Sequence, residues 1–142
     1  ICPLNHLCEA RLKNTIAFLP VKMNKTKVRD RFLHFFIYQN NNRLIIEKRD
    51  GKDIWQNLFQ FPCFESSLDN DKNILPLTEF QRKESVEIIH ILSHQRIHAI
   101  FHHFDFFPTT MNQNWIVIKR EELDNYPIPR LIDRYLEKNV LD

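Results

Sequence analysis

The sequence has very little glycine: Gly51 is the only one among 142 residues. Phosphate-binding loops of the Walker and dinucleotide-binding types need several glycines, because the backbone must approach the phosphate closely. Both classes of nucleotide site are therefore excluded. The turns must use another residue that tolerates a left-handed backbone conformation, and we expect asparagine in that role.

Long apolar runs are also missing. No window approaches the ~18 consecutive apolar residues that a membrane helix requires, and the N-terminus lacks the basic segment and apolar core of a signal peptide. We therefore expect no membrane partner. The length fits one packed domain. Because the chain begins Ile1-Cys2-Pro3 without methionine, we expect a fragment or a processed product.

Charge is small in total but uneven along the chain. The formal net charge is +2, with basic residues concentrated between Arg11 and Arg31 and acidic residues between Glu65 and Glu87. A basic segment on a near-neutral domain is typical of contact with a phosphate backbone. A solvated linker has the same composition, and charge alone favours that alternative.

The hydrophobic pattern predicts an α+β fold in which strands dominate. A run rich in aromatic and β-branched residues at 28–38 and a second strand at 44–49 flank Asn40–Asn42, which predicts an antiparallel hairpin. Trp55 is expected to anchor the core beneath the loop that follows. Further strands are predicted at 86–92, 97–106 and 115–118, a loop or poorly formed helix start at 65–73, and helical segments at 75–83, at 120–125 and after Pro129.

The cysteines are too few for a complete metal site. Cys2 and Cys8 enclose five residues, and Cys63 stands alone. A closed zinc or iron–sulfur site requires four ligands. Either the remaining ligands lie outside this chain or the pair is incidental, and the residues alone leave both alternatives open.

Four histidines recur at intervals of four positions: His90, His94, His98 and His102. On a helix they would form one metal-binding face. The isoleucines and phenylalanine between them favour strands instead, and positions four apart on a strand are separated by ~13 Å. We therefore do not expect a shared metal, and we expect most of these histidines at the surface or in an interface.

Four segments of the chain resemble, in the same order, segments of MutY-type adenine DNA glycosylases. Residues 2–8 resemble the end of the 4Fe–4S motif, and residues 19–22 resemble the short Pro-x-Lys connector that follows it. Residues 48–62 resemble the Arg-Pro-x-x-Gly-Leu-Trp-x-x-Leu-x-x-Phe-Pro segment, and residues 90–94 resemble the His-x-Phe-Ser/Thr-His segment. Each match alone is weak, but four in order over residues 1 to about 104 are specific.

The resemblance implies a domain organisation. Residues 1–10 would end the iron–sulfur motif of a catalytic domain, residues 11–26 would form a basic connector, and residues 27–142 would form a Nudix-like α+β domain without the Nudix box. Cys2 and Cys8 would ligate a 4Fe–4S cluster only in the full-length protein, and no cofactor is expected on this fragment. The fragment would also lack the catalytic residues that remove adenine.

The same resemblance implies partners and a role. The partners would be the protein's own N-terminal catalytic domain and duplex DNA that carries 8-oxoguanine paired with adenine, in the cytoplasm of a bacterium. The lesion-reading element would fall on Leu92, Ser93 and His94, with Leu92 in place of the usual phenylalanine. A leucine can still act as a wedge between base steps. Possible DNA-backbone contacts are Lys22, Lys48, Arg49 and Arg96.

The chemistry of the lesion agrees with this assignment. 8-Oxoguanine carries a proton on N7, where guanine has an acceptor, so a reader needs an acceptor at that position. The Ser93 hydroxyl or a loop carbonyl can supply one, and the His94 imidazole offers either polarity depending on its tautomer. A missing bond in a desolvated site costs ~1–3 kcal/mol. The alternative is that Ser93 and His94 only make a polar break between two strands.

Two other functions are considered. A Nudix-type nucleotide hydrolase needs clustered glutamates for magnesium after a glycine, but the residue six positions after Gly51 is Asn57. The only Arg-Glu-Glu run, Arg120–Glu122, has no glycine upstream in range. A protein-interaction module would use the aromatic stretch Phe104–Phe107 as an exposed patch.

Overall fold

The computed structural model describes residues 2–21, 27–66 and 85–139. Seven strands in these ranges form one mixed sheet: β1 Arg29–Asn40, β2 Arg43–Lys48, β3 Phe59–Gln60, β4 Cys63–Ser66, β5 Ser85–Ile91, β6 Gln95–Phe104 and β7 Trp115–Lys119. The helices are α1 Glu9–Leu12, α2 Arg130–Lys138 and two 3₁₀ segments, Ile16–Phe18 and Arg120–Asn125. Across the described ranges, none of the helices could span a membrane.

The central strand is β1. One of its edges pairs in parallel with β6 over its length, from Arg29 opposite Gln95 to Tyr38 opposite Phe104. The other edge pairs antiparallel with β4 and then with β2. β5 pairs antiparallel with β6, and β7 with β2. This register brings the start of β1 beside the loop that joins β5 to β6.

The main core lies between one face of the sheet and α2. Side chains on alternate positions of a strand point to the same face, and the alternate apolar residues of β1 and β6 are buried there. Tyr135 of α2 stacks on Phe101 of β6 with ring centroids 4.0 Å apart. Trp55 is 6% exposed and belongs to this core, as predicted. The central members are Leu33, Phe35, Ile37, Ile97, Ala99, Phe101, Leu131, Ile132 and Tyr135.

A smaller aromatic cluster contains most of the stretch that a protein-interaction module would expose. Phe104 is buried with Tyr38 and Ile45, and the half-buried Phe106 and Phe107 pack against them. The hypothesis of an exposed patch at Phe104–Phe107 is therefore weakened, because these rings pack against the end of the β1–β2 hairpin near its turn. The protein-interaction alternative loses the observation on which it depended.

The sequence pattern located most elements. The hairpin, the strands at 86–92, 97–106 and 115–118, the helical turn at 120–125 and the helix after Pro129 are confirmed to within a few residues. The short strands β3 and β4 were not predicted, and Glu65 and Ser66 belong to β4 rather than to a loop. The predicted helix at 75–83 and the remainder of the 65–73 loop lie outside the described residues.

One histidine departs from the expectation of a surface or interface position. His102 is 4% exposed. Its ring stacks against His34, with the Nδ1 atom of His34 3.1 Å from the Nε2 atom of His102. The ring of Phe36 stacks on it as well. The imidazole pair is part of the packing between β1 and β6, which the even spacing of the histidines did not indicate.

Asparagine makes the left-handed turns. Asn41 and Asn42, at the tip of the β1–β2 hairpin, have φ angles of 47° and 60°. Asn14 and Asn57 also have positive φ, and among the described residues every positive φ belongs to asparagine. The expectation drawn from the near absence of glycine is confirmed.

This backbone geometry leads to a stability prediction. Asn41→Gly should leave the free energy of unfolding within about 0.5 kcal/mol of the wild type, because glycine adopts positive φ without strain. Asn41→Val should destabilise by about 1–2 kcal/mol, because a side chain branched at Cβ is strained there. Urea unfolding of both variants checks this, and equal stabilities would contradict it.

Candidate functional site

The residues predicted to read the lesion form the tight turn between β5 and β6. Ser93 and His94 are exposed at its tip, whereas Leu92 is half-buried and packs against the main core. The Leu92 amide donates to the Gln95 carbonyl at 2.8 Å, and the Arg29 amide donates to the His94 carbonyl at 3.0 Å. The backbone of the turn is thus held while a hydroxyl and an imidazole remain accessible. In this conformation Leu92 anchors the turn.

A buried arginine lies directly behind this turn. Arg31 of β1 is 8% exposed. Its Nε and Nη2 atoms donate to the two oxygens of Glu65 at 2.8 and 2.7 Å. Nη2 also donates to Asp53 at 3.2 Å, and Nη1 donates to the side-chain oxygen of Gln95 at 3.3 Å. One guanidinium therefore connects β1, β4, the loop at 51–58 and the first residue of β6.

Asp53 joins this group to a second arginine. The Nη2 and Nε atoms of Arg49 donate to the Asp53 carboxylate at 2.7 and 3.0 Å, and the Trp55 amide donates to Asp53 Oδ1 at 3.0 Å. Burial opposes ionisation of Asp53, but the bonds from Arg49 and the Trp55 amide prevail, and the pKa of the carboxyl is lowered. The hydrogen bonds from Arg31 lower the pKa of Glu65. We name Arg31, Arg49, Asp53, Glu65 and Gln95 the arginine clamp.

The four predicted backbone contacts differ in their positions. Arg49 also bonds Gln60 at 3.0 Å, and its side chain is only 14% exposed, so we leave it out of the proposed DNA surface. Lys48 is exposed at the end of β2, and Arg96 is exposed near the turn, with its Nη1 atom 3.7 Å from Asp30. Lys22 lies outside the described residues.

Two further cations near the turn were not found by sequence reasoning. Arg29 and Lys52 are exposed and lie at a cleft of about 380 Å³ beside the turn. Arg29 belongs to the basic segment noted in the sequence, but its place beside this turn comes from its parallel pairing with Gln95, which lies far along the chain. The cleft is lined by Arg29, Arg31, Lys52, Asp53, Ile54, Glu65 and Gln95.

The three cysteines are not bonded to one another. Cys2 is exposed and Cys8, which precedes α1, is half-buried, and both are free thiols. Within residues 2–21, 27–66 and 85–139, no three histidine, cysteine, aspartate or glutamate side chains are grouped to hold a metal. Two thiolates are fewer than the four ligands that a 4Fe–4S cluster requires, so Cys2 and Cys8 would hold one only together with two further ligands. Burial raises the pKa of Cys63 to about 12, so its thiol stays protonated.

The two carboxylates of the Arg120–Glu122 run have hydrogen-bond partners within the fold. Glu122 accepts the Lys119 amide at 2.9 Å, and Glu121 accepts from the side-chain amide of Asn42 at 3.2 Å. Asn57, six positions after Gly51, has a φ of 68° and donates its backbone N–H to the Arg49 carbonyl. In the described part of the chain, these three residues therefore hydrogen-bond other parts of the protein.

Comparisons with known proteins place the domain. A family model described as a NUDIX domain matches residues 34–138. An adenine DNA glycosylase of Buchnera aphidicola subsp. Schizaphis graminum is 32% identical over 108 residues, which cover 75% of this chain and 28% of that protein. The adenine DNA glycosylase of Buchnera aphidicola subsp. Baizongia pistaciae is 28% identical over 140 residues, which cover 91% of this chain and 39% of that protein.

A solved structure shows the same fold. The C-terminal domain of mouse MUTYH, determined in complex with human PCNA, matches with a TM-score of 0.58 and 16% identity over 78% of this chain and 89% of that chain. The predicted Nudix-like α+β fold is confirmed. The chain spans only 28% and 39% of the length of the two glycosylases.

The clamp leads to a pH prediction. Both carboxylates have lowered pKa values, so the stability they contribute is present above their ordinary pKa of about 4 and is lost as the pH falls through the folded values. The arginines have raised pKa values and stay charged throughout. Glu65→Gln should be less stable than the wild type at pH 7, with a shallower loss of stability towards pH 3.

The measurement is the free energy of unfolding by urea between pH 7 and 3. Asp124→Asn, which removes an exposed carboxylate from the 3₁₀ segment, is the matched control and should keep the wild-type slope. Identical slopes for the wild type and Glu65→Gln would contradict the role given to the clamp.

Proposed function

Because the chain belongs to the NUDIX domain family, in the form carried by MutY-type adenine DNA glycosylases, we propose that it recognises 8-oxoguanine paired with adenine in duplex DNA. The observation that carries this proposal is the Ser93–His94 turn, whose polar side chains are exposed while its backbone is held by Gln95 and Arg29. It is a DNA-binding specificity domain of a repair glycosylase.

The turn offers the groups that the lesion requires. The Ser93 hydroxyl accepts a hydrogen bond from the N7–H group that distinguishes 8-oxoguanine from guanine. The imidazole of His94 donates or accepts at the same edge of the base. Because the backbone of the turn is already fixed, binding orders few additional groups, which favours affinity.

Cations beside the turn hold the phosphates. Arg29, Lys52 and Arg96 are exposed within a few residues of the turn or at the cleft that adjoins it. Contacts of this kind position a duplex without reading its sequence, and they make affinity depend on salt. Base discrimination would then belong to Ser93 and His94, and most of the overall affinity to the cations.

The remainder of the activity belongs to a longer protein. Removal of adenine would take place in a catalytic domain outside this chain, so residues 1–142 would not excise a base alone. Cys2 and Cys8 would provide two ligands to the 4Fe–4S cluster of that protein, which would act on DNA in the bacterial cytoplasm. The partners are therefore the damaged duplex and the catalytic domain of the same protein.

Substitutions in the turn test the recognition of the lesion. Ser93→Ala and His94→Ala should each lower the preference for 8-oxoguanine·A over G·A duplexes by about tenfold, because each loses a hydrogen bond to the base. Affinity for the G·A duplex should change little. The measurement is the dissociation constant of the full-length protein for each duplex at one salt concentration.

Ser85→Ala is the matched control, since Ser85 is an exposed serine at the opposite end of β5, about 20 Å away. It should keep the wild-type preference. A wild-type protein that binds both duplexes equally, unchanged by the Ser93 and His94 substitutions, would contradict the proposal.

Substitutions of the neighbouring cations test the contact with phosphate. Arg29→Gln and Lys52→Gln should weaken binding to both duplexes by a similar factor. Each should reduce the slope of log affinity against log salt by about 0.9, the value for one lost phosphate contact. Salt titrations of each variant provide the measurement.

Arg43→Gln is the control for these cations. Arg43 is an exposed arginine at the start of β2, next to the far end of β1, about 36 Å from Arg29. Its salt slope should equal that of the wild type. Unchanged slopes in Arg29→Gln and Lys52→Gln would remove these residues from the DNA surface.

A further inference from the structure

We infer that Arg31 is a positioning residue that sets lesion discrimination without touching DNA. Through Gln95 it holds the Ser93–His94 turn in the orientation that reads the base. This inference rests on the proposed function and extends it to a buried residue that none of the sequence motifs contains.

Arg31 binds several acceptor residues at once. All three guanidinium nitrogens are engaged, with four acceptor atoms on Glu65, Asp53 and Gln95. A planar guanidinium can satisfy acceptors in several directions at once, whereas the single ammonium of lysine cannot. The three acceptor residues belong to separate segments, so one side chain fixes β4, the 51–58 loop and the start of β6 together.

The residues behind Arg31 are held by hydrogen bonds and packing. Asp53 also binds Arg49, whose guanidinium carbon lies 5.9 Å from the centre of the Trp55 ring. Trp55 belongs to the main core, and its ring lies 6.4 Å from that of His90 on β5. The arginine clamp therefore contacts packed side chains that also contact β5, the strand that leads into the turn.

Gln95 links Arg31 to the turn. Its backbone carbonyl accepts the Leu92 amide and closes the turn, while its side-chain oxygen accepts from Arg31. If the side-chain bond is lost, the two backbone bonds that hold the turn remain. The fold of the hairpin is then kept, but Gln95 and the adjoining His94 gain freedom.

This freedom should matter more for the base than for the phosphates. Hydrogen bonds to a base edge weaken steeply when their angle or distance changes. Charge contacts with phosphates fix the protein on the duplex and tolerate small displacements, because they act over the screening length. A loosened turn therefore loses affinity for the 8-oxoguanine duplex more than for the undamaged duplex.

Two substitutions at Gln95 form the central test. Gln95→Leu removes the acceptor at similar size, and Gln95→Glu keeps an acceptor that bonds Arg31 more strongly. In the full-length protein, Gln95→Leu should lower the ratio of affinities for 8-oxoguanine·A and G·A duplexes by about fivefold, less than the tenfold effect of Ser93→Ala, because a loosened turn weakens the bond to the base without removing it. Gln95→Glu should keep the ratio, while its added negative charge weakens both affinities equally.

Arg31→Lys and Gln113→Leu complete the set. Arg31→Lys keeps the positive charge but loses the planar, multidentate guanidinium. It should lower the ratio of the two duplex affinities as Gln95→Leu does. Gln113→Leu replaces an exposed glutamine before β7 and should behave as the wild type. Unfolding curves are measured for every variant. If Arg31→Lys fails to fold, the Gln95 pair decides, because that pair leaves the buried ion pairs in place.

The outcomes separate this inference from the proposed function. A ratio lowered by Ser93→Ala but unchanged by Gln95→Leu would overturn the inference and leave the function standing. A ratio lowered equally by Gln95→Leu and Gln95→Glu would also overturn it, because the acceptor for Arg31 would then be irrelevant. A wild-type ratio near one would overturn both.

Discussion

The ion pair between Arg31 and Glu65, with Asp53 as a second acceptor, constrains the region around the turn. A buried guanidinium is costly to desolvate unless its donors are matched by charge and geometry. Here the two oxygens of Glu65 face its fork at 2.8 and 2.7 Å, and Asp53 neutralises Arg49 as well. Arg31 therefore brings together three elements: the central strand β1, the short strand β4 and the 51–58 loop. The β5–β6 turn lies beside the point where they meet.

Because of this constraint, the residues that position the turn differ from those that are exposed on it. The turn is positioned by its backbone hydrogen bonds, by the buried arginine clamp beside it and by Leu92, which packs against the core. On the proposed function, exposed groups supply the chemistry: the Ser93 hydroxyl and the His94 imidazole would contact the base edge, and the cations around the cleft would contact phosphates. A fold is a scaffold on which different functions can be built. On the proposed function, this member of the NUDIX domain family uses its scaffold to read a damaged base.

Local patterns predicted the elements, and long-range pairing determined the site. The β1–β2 hairpin and α2 follow from apolar periodicity and from Asn41 and Asn42. The polar break between two apolar runs located the β5–β6 turn, and the family resemblance suggested its role. Arg31 finds its acceptors 22, 34 and 64 positions away, and no local spacing reports such contacts. For the same reason the burial of His102 and Phe104 was missed: both depend on rings contributed by β1.

The most direct test of the account is a nuclear magnetic resonance titration of isotope-labelled protein with matched 8-oxoguanine·A and G·A duplexes. The account predicts that the backbone amides of Ser93, His94 and Gln95 shift differently with the two duplexes, whereas amides around Arg29 and Lys52 shift alike with both. Lesion-dependent shifts that leave this turn unchanged and appear instead on β7 or α2 would contradict it.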